Sequence, residues 1–216
     1  MEILFNILNV IKYLIYALLI IVFVIFIFLN VSPVFGASPD KNTKEIIANS
    51  ENFFEGKFRN IKTTYTNLRT LERKSTLKEW FFPPEDKNPL GPLPTIKFKG
   101  QDLIEGKFVW FGHSTLLMKT EGLVVMTDPV FNRASPLPSF SSKSKSSFFN
   151  GKPFVFENPI LIENLPKVDV VIISHDHYDH LDSKAIKDLS NLVDHFIVPL
   201  GVGAHLERWG VDKNKI

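Results

Sequence analysis

The sequence predicts a mixed α/β (α+β) domain behind an N-terminal apolar helix. Residues 13–29 form an unbroken apolar run, residues 107–127 carry strand signals with a tight turn, and strand–helix–strand signals follow up to residue 216. Hairpins followed by strand–helix–strand units are typical of sheets with helices packed outside them. The length is sufficient for one domain in addition to the helix.

The first predicted element is a helix that can cross a membrane. Tyr13 to Leu29 contains no charged or strongly polar side chain, and at about 1.5 Å per residue it spans roughly 26 Å, close to the bilayer core of roughly 30 Å. This length favours a retained membrane anchor, while a signal segment cleaved before Ala37 is the alternative. An N-terminal apolar segment normally directs export, so we expect the remainder on the periplasmic or extracellular face, or secreted after cleavage.

Composition excludes several classes of protein. The net charge is +2, and Lys143 to Lys145 lie in a serine-rich loop, so we expect no nucleic-acid partner. The absence of cysteine excludes disulfides, thiolate zinc ligands and a cysteine nucleophile. A serine hydrolase is disfavoured because Gly-x-Ser-x-Gly does not occur. Any metal site must therefore use His, Asp or Glu.

The segment after the apolar run predicts a connector. Thr43 to Ala48 predicts a short helix capped by Asn42 or Thr43. Residues 82–95 are rich in proline, which predicts an extended segment. We therefore divide the chain into an anchor or signal segment (1–34), an extension with a Pro-rich connector (35–100) and a domain (101–216).

Strand signals open the domain. Lys107–Phe111, Thr115–Thr120 and Leu123–Thr127 are predicted strands, and Glu121-Gly122 joins the last two as a hairpin. Residues 132–153 are rich in Ser, Pro and Lys and predict a long surface loop.

A strand–helix–strand unit follows this loop. Val168 to Ile173 is nearly all apolar, which predicts a strand buried on both faces. Three further elements are predicted: a helix from Asp182 or Ser183 to about Leu192, a strand from His195 to Val198, and a short helix from Gly201 to Trp209.

The residues suited to chemistry are concentrated in 174–180, which read Ser-His-Asp-His-Tyr-Asp-His. They follow the apolar strand directly, and active sites commonly form where a central strand ends in a loop. His175 and His177 are two residues apart, so in an extended chain both project to one side and can bind one metal ion. Asp179 and His180 follow a turn and can reach a second ion.

Four more residues are candidates for supporting roles. Asp176 is free to hold a ligand in place or to transfer a proton. His113 follows Gly112 at a strand end, where it either faces the site or satisfies its nitrogens in a turn. Asp128 either orients a metal-binding side chain or caps a turn. His205 either lines a substrate cleft or is a surface histidine.

The motif His175-x-His177-x-Asp179-His180 resembles the signature of the metallo-β-lactamase superfamily. Further stretches resemble the branch that contains N-acyl-phosphatidylethanolamine-hydrolysing phospholipase D and its bacterial relatives. Together they cover roughly residues 35–216 and are Phe35-Gly36-Ala37, Glu55-Gly56-Lys57-Phe58, Trp110-Phe111-Gly112-His113-Ser114, Thr127-Asp128-Pro129-Val130-Phe131, Ser174 to Asp182, and Pro199-Leu200-Gly201-Val202-Gly203.

The resemblance implies a fold, a cofactor and a reaction. The fold is a four-layer αββα sandwich, of which this chain would hold the first half. Two zinc ions are implied, with His175 and His177 on the first and the catalytic pair Asp179 and His180 on the second. The implied reaction is attack of metal-activated water on a phosphodiester, in a membrane lipid or a small molecule.

The resemblance also implies that part of the family's fold is missing. Zinc usually takes three or four protein ligands, and in this family the second half of the sandwich supplies the remaining ones. We therefore expect this chain to be a fragment whose partner is the missing C-terminal half of the fold. Without that half, an apolar face of the sheet should be exposed. Two other functions stay open: a sugar-phosphate lactonase of the same superfamily, and a membrane-tethered remnant without catalysis.

Overall fold

The computed structural model describes residues 2–62, 89–136, 151 and 153–216. Its helices are α1 (Glu2–Val31), α2 (Lys41–Ala48), α3 (Ser183–Leu189) and α4 (Gly203–Arg208). Its strands are β1 (Phe53–Phe54), β2 (Lys57–Phe58), β3 (Phe108–Gly112), β4 (Thr115–Thr120), β5 (Leu123–Thr127), β6 (Val168–Ile172) and β7 (Val193–Ile197). Most of the predicted loop at 132–153 and the first half of the Pro-rich stretch at 82–95 lie outside the described residues.

The chain divides into two compact units, with the division between Phe35 and Gly36. The first unit is dominated by α1, which extends beyond the predicted run at both ends. Pro33 lacks an N–H and restricts the residue before it, which accounts for the end of the helix at Val31. The stretch from Phe5 to Val31 is long and apolar enough to cross a membrane, a property that signal sequences share. The predicted division at residue 100 stays a prediction.

In the second unit, α2 begins earlier than predicted. It starts at Lys41, and its N-cap is Asp40, whose carboxylate accepts a hydrogen bond from the Thr43 N–H at 2.7 Å. The predicted caps, Asn42 and Thr43, are therefore wrong. Asp is among the preferred N-cap residues because its short side chain reaches the free N–H groups of the first turn.

The five strands β3 to β7 form one sheet in sequence order. β3, β4 and β5 are antiparallel to one another, and β5, β6 and β7 are parallel. The predicted strands at Thr115–Thr120 and Leu123–Thr127 and the hairpin between them are confirmed. The mixed α/β class is confirmed by this sheet and its helices.

The helix and strand ends after β6 differ from the prediction by a few residues. α3 ends at Leu189 rather than near Leu192, because β7 begins at Val193 and the chain must first turn back to the sheet. α4 begins at Gly203 rather than Gly201, because the Val202 N–H first donates to the Pro199 carbonyl in a turn. The order of elements is as predicted.

One face of the sheet forms the core. Leu117, Met126, Val171 and Phe196 pair directly across neighbouring strands, and each is at most 3% exposed. α3 packs into the same buried cluster through Ile186 and Leu189, both fully buried. Burial of a large aliphatic or aromatic side chain contributes roughly 1.5–3 kcal/mol to the free energy of unfolding, so these four buried strand residues are a main source of stability.

The opposite face of the sheet is exposed among the described residues. Phe108, Trp110, Leu123, Ile172 and Ile197 share this face and are 38–69% exposed. The prediction that β6 is buried on both faces is therefore wrong for the described chain: Val171 is buried, but Ile172 is not. An apolar run indicates that both faces of a strand favour burial, but it does not show which segments of the protein cover each face. The expected exposed apolar face is present.

The division into a buried and an exposed face predicts the response to one substitution made on each. Leu189→Ala should lower the free energy of unfolding by about 2–5 kcal/mol, because it leaves a cavity in the core. Leu123→Ala, at a position 47% exposed, should lower it by less than about 1 kcal/mol. Urea unfolding of the full chain in detergent measures both values. Equal losses would contradict this assignment of the core.

Candidate metal centre

The topology brings three chain segments to one edge of the sheet. Because β5 and β6 are parallel, their carboxyl ends share an edge, where Asp128 and Ser174 lie. Because β4 is antiparallel to β3 and β5, the turn between β3 and β4, with His113, lies at that edge too. Residues distant in sequence therefore meet where the sheet ends.

Three candidate side chains converge at this edge. The ligand atoms of His113, Asp179 and His180 all lie within 4.8 Å of one another. Nε2 of His113 is 3.3 Å from Nε2 of His180 and 3.2 Å from Oδ2 of Asp179. Imidazole nitrogens and carboxylate oxygens are ligands that zinc accepts. The donor set thus suits a divalent metal ion, and His113 faces the site, the first of its two alternatives.

His175 and His177 lie beside this group. Their ring centroids are 4.5 Å apart, and the ring of His175 is 4.0 Å from that of His180. Both histidines are therefore neighbours, as the two-residue spacing predicts, and their assignment to a first ion stays a prediction. The part of the chain that the structure describes offers them no third donor comparable to His113.

Asp128 holds His180 in place. Its Oδ2 is 2.9 Å from Nδ1 of His180, and the carboxylate also accepts hydrogen bonds from the N–H and the hydroxyl of Ser174, each at 2.7 Å. An ionised carboxylate can only accept, so Nδ1 of His180 is the donor in this contact, and in a neutral imidazole Nε2 is then the nitrogen with the lone pair. A metal-binding histidine commonly donates its second ring N–H to a carboxylate in this way.

The electrostatics of Asp128 are consistent with an ionised carboxylate. Burial raises the pKa of this carboxyl, but the hydrogen bonds from His180 and Ser174 outweigh burial and bring the pKa below its ordinary value of 3.8. Asp128 is also a turn residue with a φ of +37°. Both alternatives considered for it therefore apply: it occupies a turn, and it orients a candidate ligand.

Two serines complete the surroundings of His180. The Ser114 hydroxyl lies 3.1 Å and the Ser174 hydroxyl 3.3 Å from its Nδ1. Ser174 also contacts Nδ1 of His175 at 2.9 Å. The sequence reasoning did not select either serine. Their positions directly after His113 and directly before His175 are the only local signal, and serine is too common in turns for that signal to decide.

Asp182 fixes the loop that follows Asp128. It is 5% exposed, and it caps α3 by accepting hydrogen bonds from the N–H groups of Lys184 and Ala185. Its second carboxylate oxygen accepts from the N–H groups of Phe131 and Asn132 at 3.2 and 2.8 Å. The N-cap predicted at Asp182 is confirmed, and the same side chain joins the β5 end to the β6–α3 loop.

The two remaining candidates lie outside the converging group. Asp176 is exposed, and its negative charge reaches Tyr178 and His205. Burial lowers the pKa of His205, and the charge of Asp176 opposes that effect. Nδ1 of His205 accepts a hydrogen bond from the Ala37 N–H at 2.9 Å, and its ring stacks on Trp209 at 5.9 Å. His205 is therefore half-buried and engaged in packing rather than free at the surface.

Family comparison agrees with this geometry. Residues 124–216 match the model of the beta-lactamase superfamily domain. This part of the chain thus resembles the metallo-β-lactamase superfamily. The resemblance inferred from the histidine motif is confirmed, and the matched residues include Asp128 and the whole 174–180 segment.

Two curated proteins are similar over a longer stretch. An uncharacterized protein of Mycobacterium tuberculosis is 37% identical in an alignment of 175 residues that covers 77% of this chain and 44% of that protein. N-acyl-phosphatidylethanolamine-hydrolyzing phospholipase D 1 of Caenorhabditis elegans is 34% identical in an alignment of 152 residues that covers 68% of this chain and 40% of that enzyme. The chain thus spans less than half the length of these curated relatives.

Solved structures offer a more distant likeness. CmlA, a diiron beta-hydroxylase from Streptomyces venezuelae, is 23% identical, with a TM-score of 0.35, and the match covers 48% of this chain and 19% of CmlA. A likeness of this size carries no information about activity.

The bonds of Asp128 predict a pH-dependent stability. Asp128→Asn should lower the free energy of unfolding at neutral pH by roughly 1–3 kcal/mol, because buried hydrogen bonds to a charged group are lost. The folded pKa is lowered, so this stabilisation is present above the unfolded value near 3.8. It is lost as the pH falls through the folded value, where wild type and variant should converge.

A matched control is Asp194→Asn. Asp194 pairs with Lys167 at 2.7 Å, but this pair is exposed and should contribute little. Unfolding midpoints of the metal-free chain, measured from neutral to acid pH, compare the two variants. A larger effect at Asp194 than at Asp128 would contradict the importance assigned to the buried carboxylate.

Proposed function

We propose that the chain is a zinc-dependent hydrolase that cleaves a phosphodiester of a membrane phospholipid. The observation on which the proposal rests is the convergence of histidine and aspartate side chains at the carboxyl end of β6. The names of the relatives that hydrolyse N-acyl-phosphatidylethanolamine support the substrate class. The reaction and the substrate of the whole protein are our inference from these two observations.

Two zinc ions are the proposed cofactors. His175 and His177 are proposed to hold the first ion, and Asp179 and His180 the second, with these last two as catalytic residues. Bound zinc lowers the pKa of water and polarises phosphoryl oxygens. The donor chemistry supports zinc because every candidate ligand is an imidazole or a carboxylate and the chain has no cysteine.

The chain's own residues have separate tasks in this proposal. Asp128 and Ser174 hold the ring of His180, so that its Nε2 faces His113 and Asp179. Asp176 is an exposed carboxylate next to the ligand segment and is suited to accept or deliver a proton. A fixed ligand frame costs no reorganisation when charge develops on the phosphate.

A membrane lipid is the proposed substrate because the chain also contains α1. We propose that α1 is a retained anchor and that residues 36–216 lie on the exported face. An anchor confines the site to the bilayer surface, where the phosphodiester of a lipid is presented to it. This arrangement favours a phospholipid over a soluble sugar-phosphate lactone.

Zinc content and hydrolysis test the function together. The purified full chain should hold about two zinc ions and release phosphatidic acid from N-acyl-phosphatidylethanolamine in mixed micelles, and a chelator should abolish the reaction. Asp179→Asn should lower the rate by more than about 100-fold, because residues that merely support ligands already contribute 10–100-fold. His195→Asn, an exposed histidine outside the site, is the matched control.

Other outcomes would point to other functions. Hydrolysis of a sugar-phosphate lactone without hydrolysis of phospholipid would replace the proposed substrate. Substoichiometric zinc together with no hydrolysis of either compound would contradict the enzyme and support a membrane-tethered remnant.

The anchor proposal predicts both the mass and the location of the protein. The protein in the membrane fraction should have the mass of the uncleaved chain. Leu18→Arg should reduce the membrane-bound share, at a cost of about 2.5–3.5 kcal/mol for a charge in mid-helix, whereas Leu18→Ile should not. A soluble product that starts near Ala37 would instead identify a cleaved signal.

The exported face can be tested because the chain has no cysteine. Asn191→Cys introduces a single thiol at an exposed turn. A membrane-impermeant maleimide should label this thiol in intact cells. Labelling only after lysis would place residues 36–216 on the cytoplasmic side and contradict the proposal.

A further inference from the structure

We propose that His113 is a direct ligand of the ion held by Asp179 and His180. This inference rests on the proposed metal centre and adds a residue to it. The motif 174–180 offers two ligands for each ion, whereas zinc sites usually have three or four protein ligands. His113 reaches the same point from the β3–β4 turn, so one ion has three ligands from this chain.

The separations of the three donor atoms match a tetrahedral site. Zinc bonds of about 2.0–2.1 Å at tetrahedral angles place two ligand atoms about 3.3–3.4 Å apart. Nε2 of His113 lies 3.3 Å from Nε2 of His180 and 3.2 Å from Oδ2 of Asp179. The third separation, between Nε2 of His180 and Oδ2 of Asp179, is 3.9 Å. Two of the three distances are therefore those of neighbouring ligands, and the third needs only a small side-chain rotation.

The placement of the His180 ring also favours a cation between these groups. Its Nδ1 lies 2.9 Å from Oδ2 of Asp128, and its other nitrogen, Nε2, faces Nε2 of His113 at 3.3 Å. Oδ2 of Asp179 lies 3.2 Å from the same nitrogen of His113. Two imidazole nitrogens and a carboxylate oxygen therefore face one point, where a single metal ion can bind all three.

The backbone holds His113 in an uncommon conformation. Its φ is +46°, in the left-handed region, and Gly112 before it has a φ of +108°. Positive φ values are uncommon for residues other than glycine and concentrate at functional sites. The indole N–H of Trp110 donates to the His113 carbonyl at 2.9 Å and fixes this turn. The side chain of His113 is 56% exposed, so an ion from solution can reach its ring.

The test compares His113→Asn with His195→Asn in the full chain solubilised in detergent. Asparagine tolerates the left-handed conformation, so the first variant removes the imidazole with little change to the backbone. Zinc affinity is measured by competition with a chromogenic chelator. Zinc-edge X-ray absorption counts the imidazole ligands per ion, a readout that loss of a merely supporting residue would not change. Thermal melting of the metal-free variants checks their folding.

We expect His113→Asn to weaken one zinc-binding step by more than 10-fold and to lower the imidazole count, while His195→Asn behaves as wild type. Unchanged affinity, or weaker affinity with an unchanged imidazole count, would overturn His113 as a ligand. The proposed metal centre would survive that result if Asp179→Asn still lost the ion. Wild-type chain that binds no zinc would overturn the metal centre itself, and this inference with it.

Discussion

The hydrogen bond between Asp128 and His180 is the interaction on which the candidate site depends. It joins the end of β5 to the loop after β6 and sets which nitrogen of His180 faces His113 and Asp179. Ser174 donates two hydrogen bonds to the same carboxylate and thereby keeps it ionised and oriented. Without this contact, the imidazole could present the wrong nitrogen or turn away from Asp179.

Buried hydrogen bonds around the end of β5 hold Asp128 in position for this contact. Thr115, which is fully buried, donates from its hydroxyl to the Asp128 carbonyl at 2.7 Å and accepts from the Val130 N–H at 3.1 Å. Asp182 holds the next residues of the loop against the start of α3. Each of these polar groups is buried and satisfied, so the end of β5 is held firmly. Supporting hydrogen bonds of this kind keep the side chains of a binding site at a sheet edge in fixed positions.

Local chemistry made much of the sheet predictable from sequence. The hairpin between β4 and β5 follows from Glu121-Gly122, whose φ values are +50° and +79°. The histidine motif after β6 was visible because its residues are neighbours in the chain. His113 was undecided because it is 67 residues from His180, and the two meet only through the successive pairing of β3, β4, β5 and β6 in the sheet. Local sequence patterns do not show which distant segments pair in the folded chain.

The faces of the sheet show a second reason for incomplete prediction. The apolar run in β6 indicates only that both sides avoid water. The described residues cover the side of Val171 and leave Ile172 exposed, and what covers a face is a property of other segments. The ends of α3 and α4 were misplaced for a similar reason, since sheet pairing and turn hydrogen bonds outweigh helix propensity there.

The state of the His180 ring is the most direct test of this account. Nitrogen-15 spectra of the full chain labelled at its six histidines, with His180 assigned by substitution, report which ring nitrogen carries the proton. We predict a proton on Nδ1 in the metal-free chain and a shift of the Nε2 resonance when zinc is added. A proton on Nε2, or an Nε2 resonance that zinc leaves unchanged, would contradict the account.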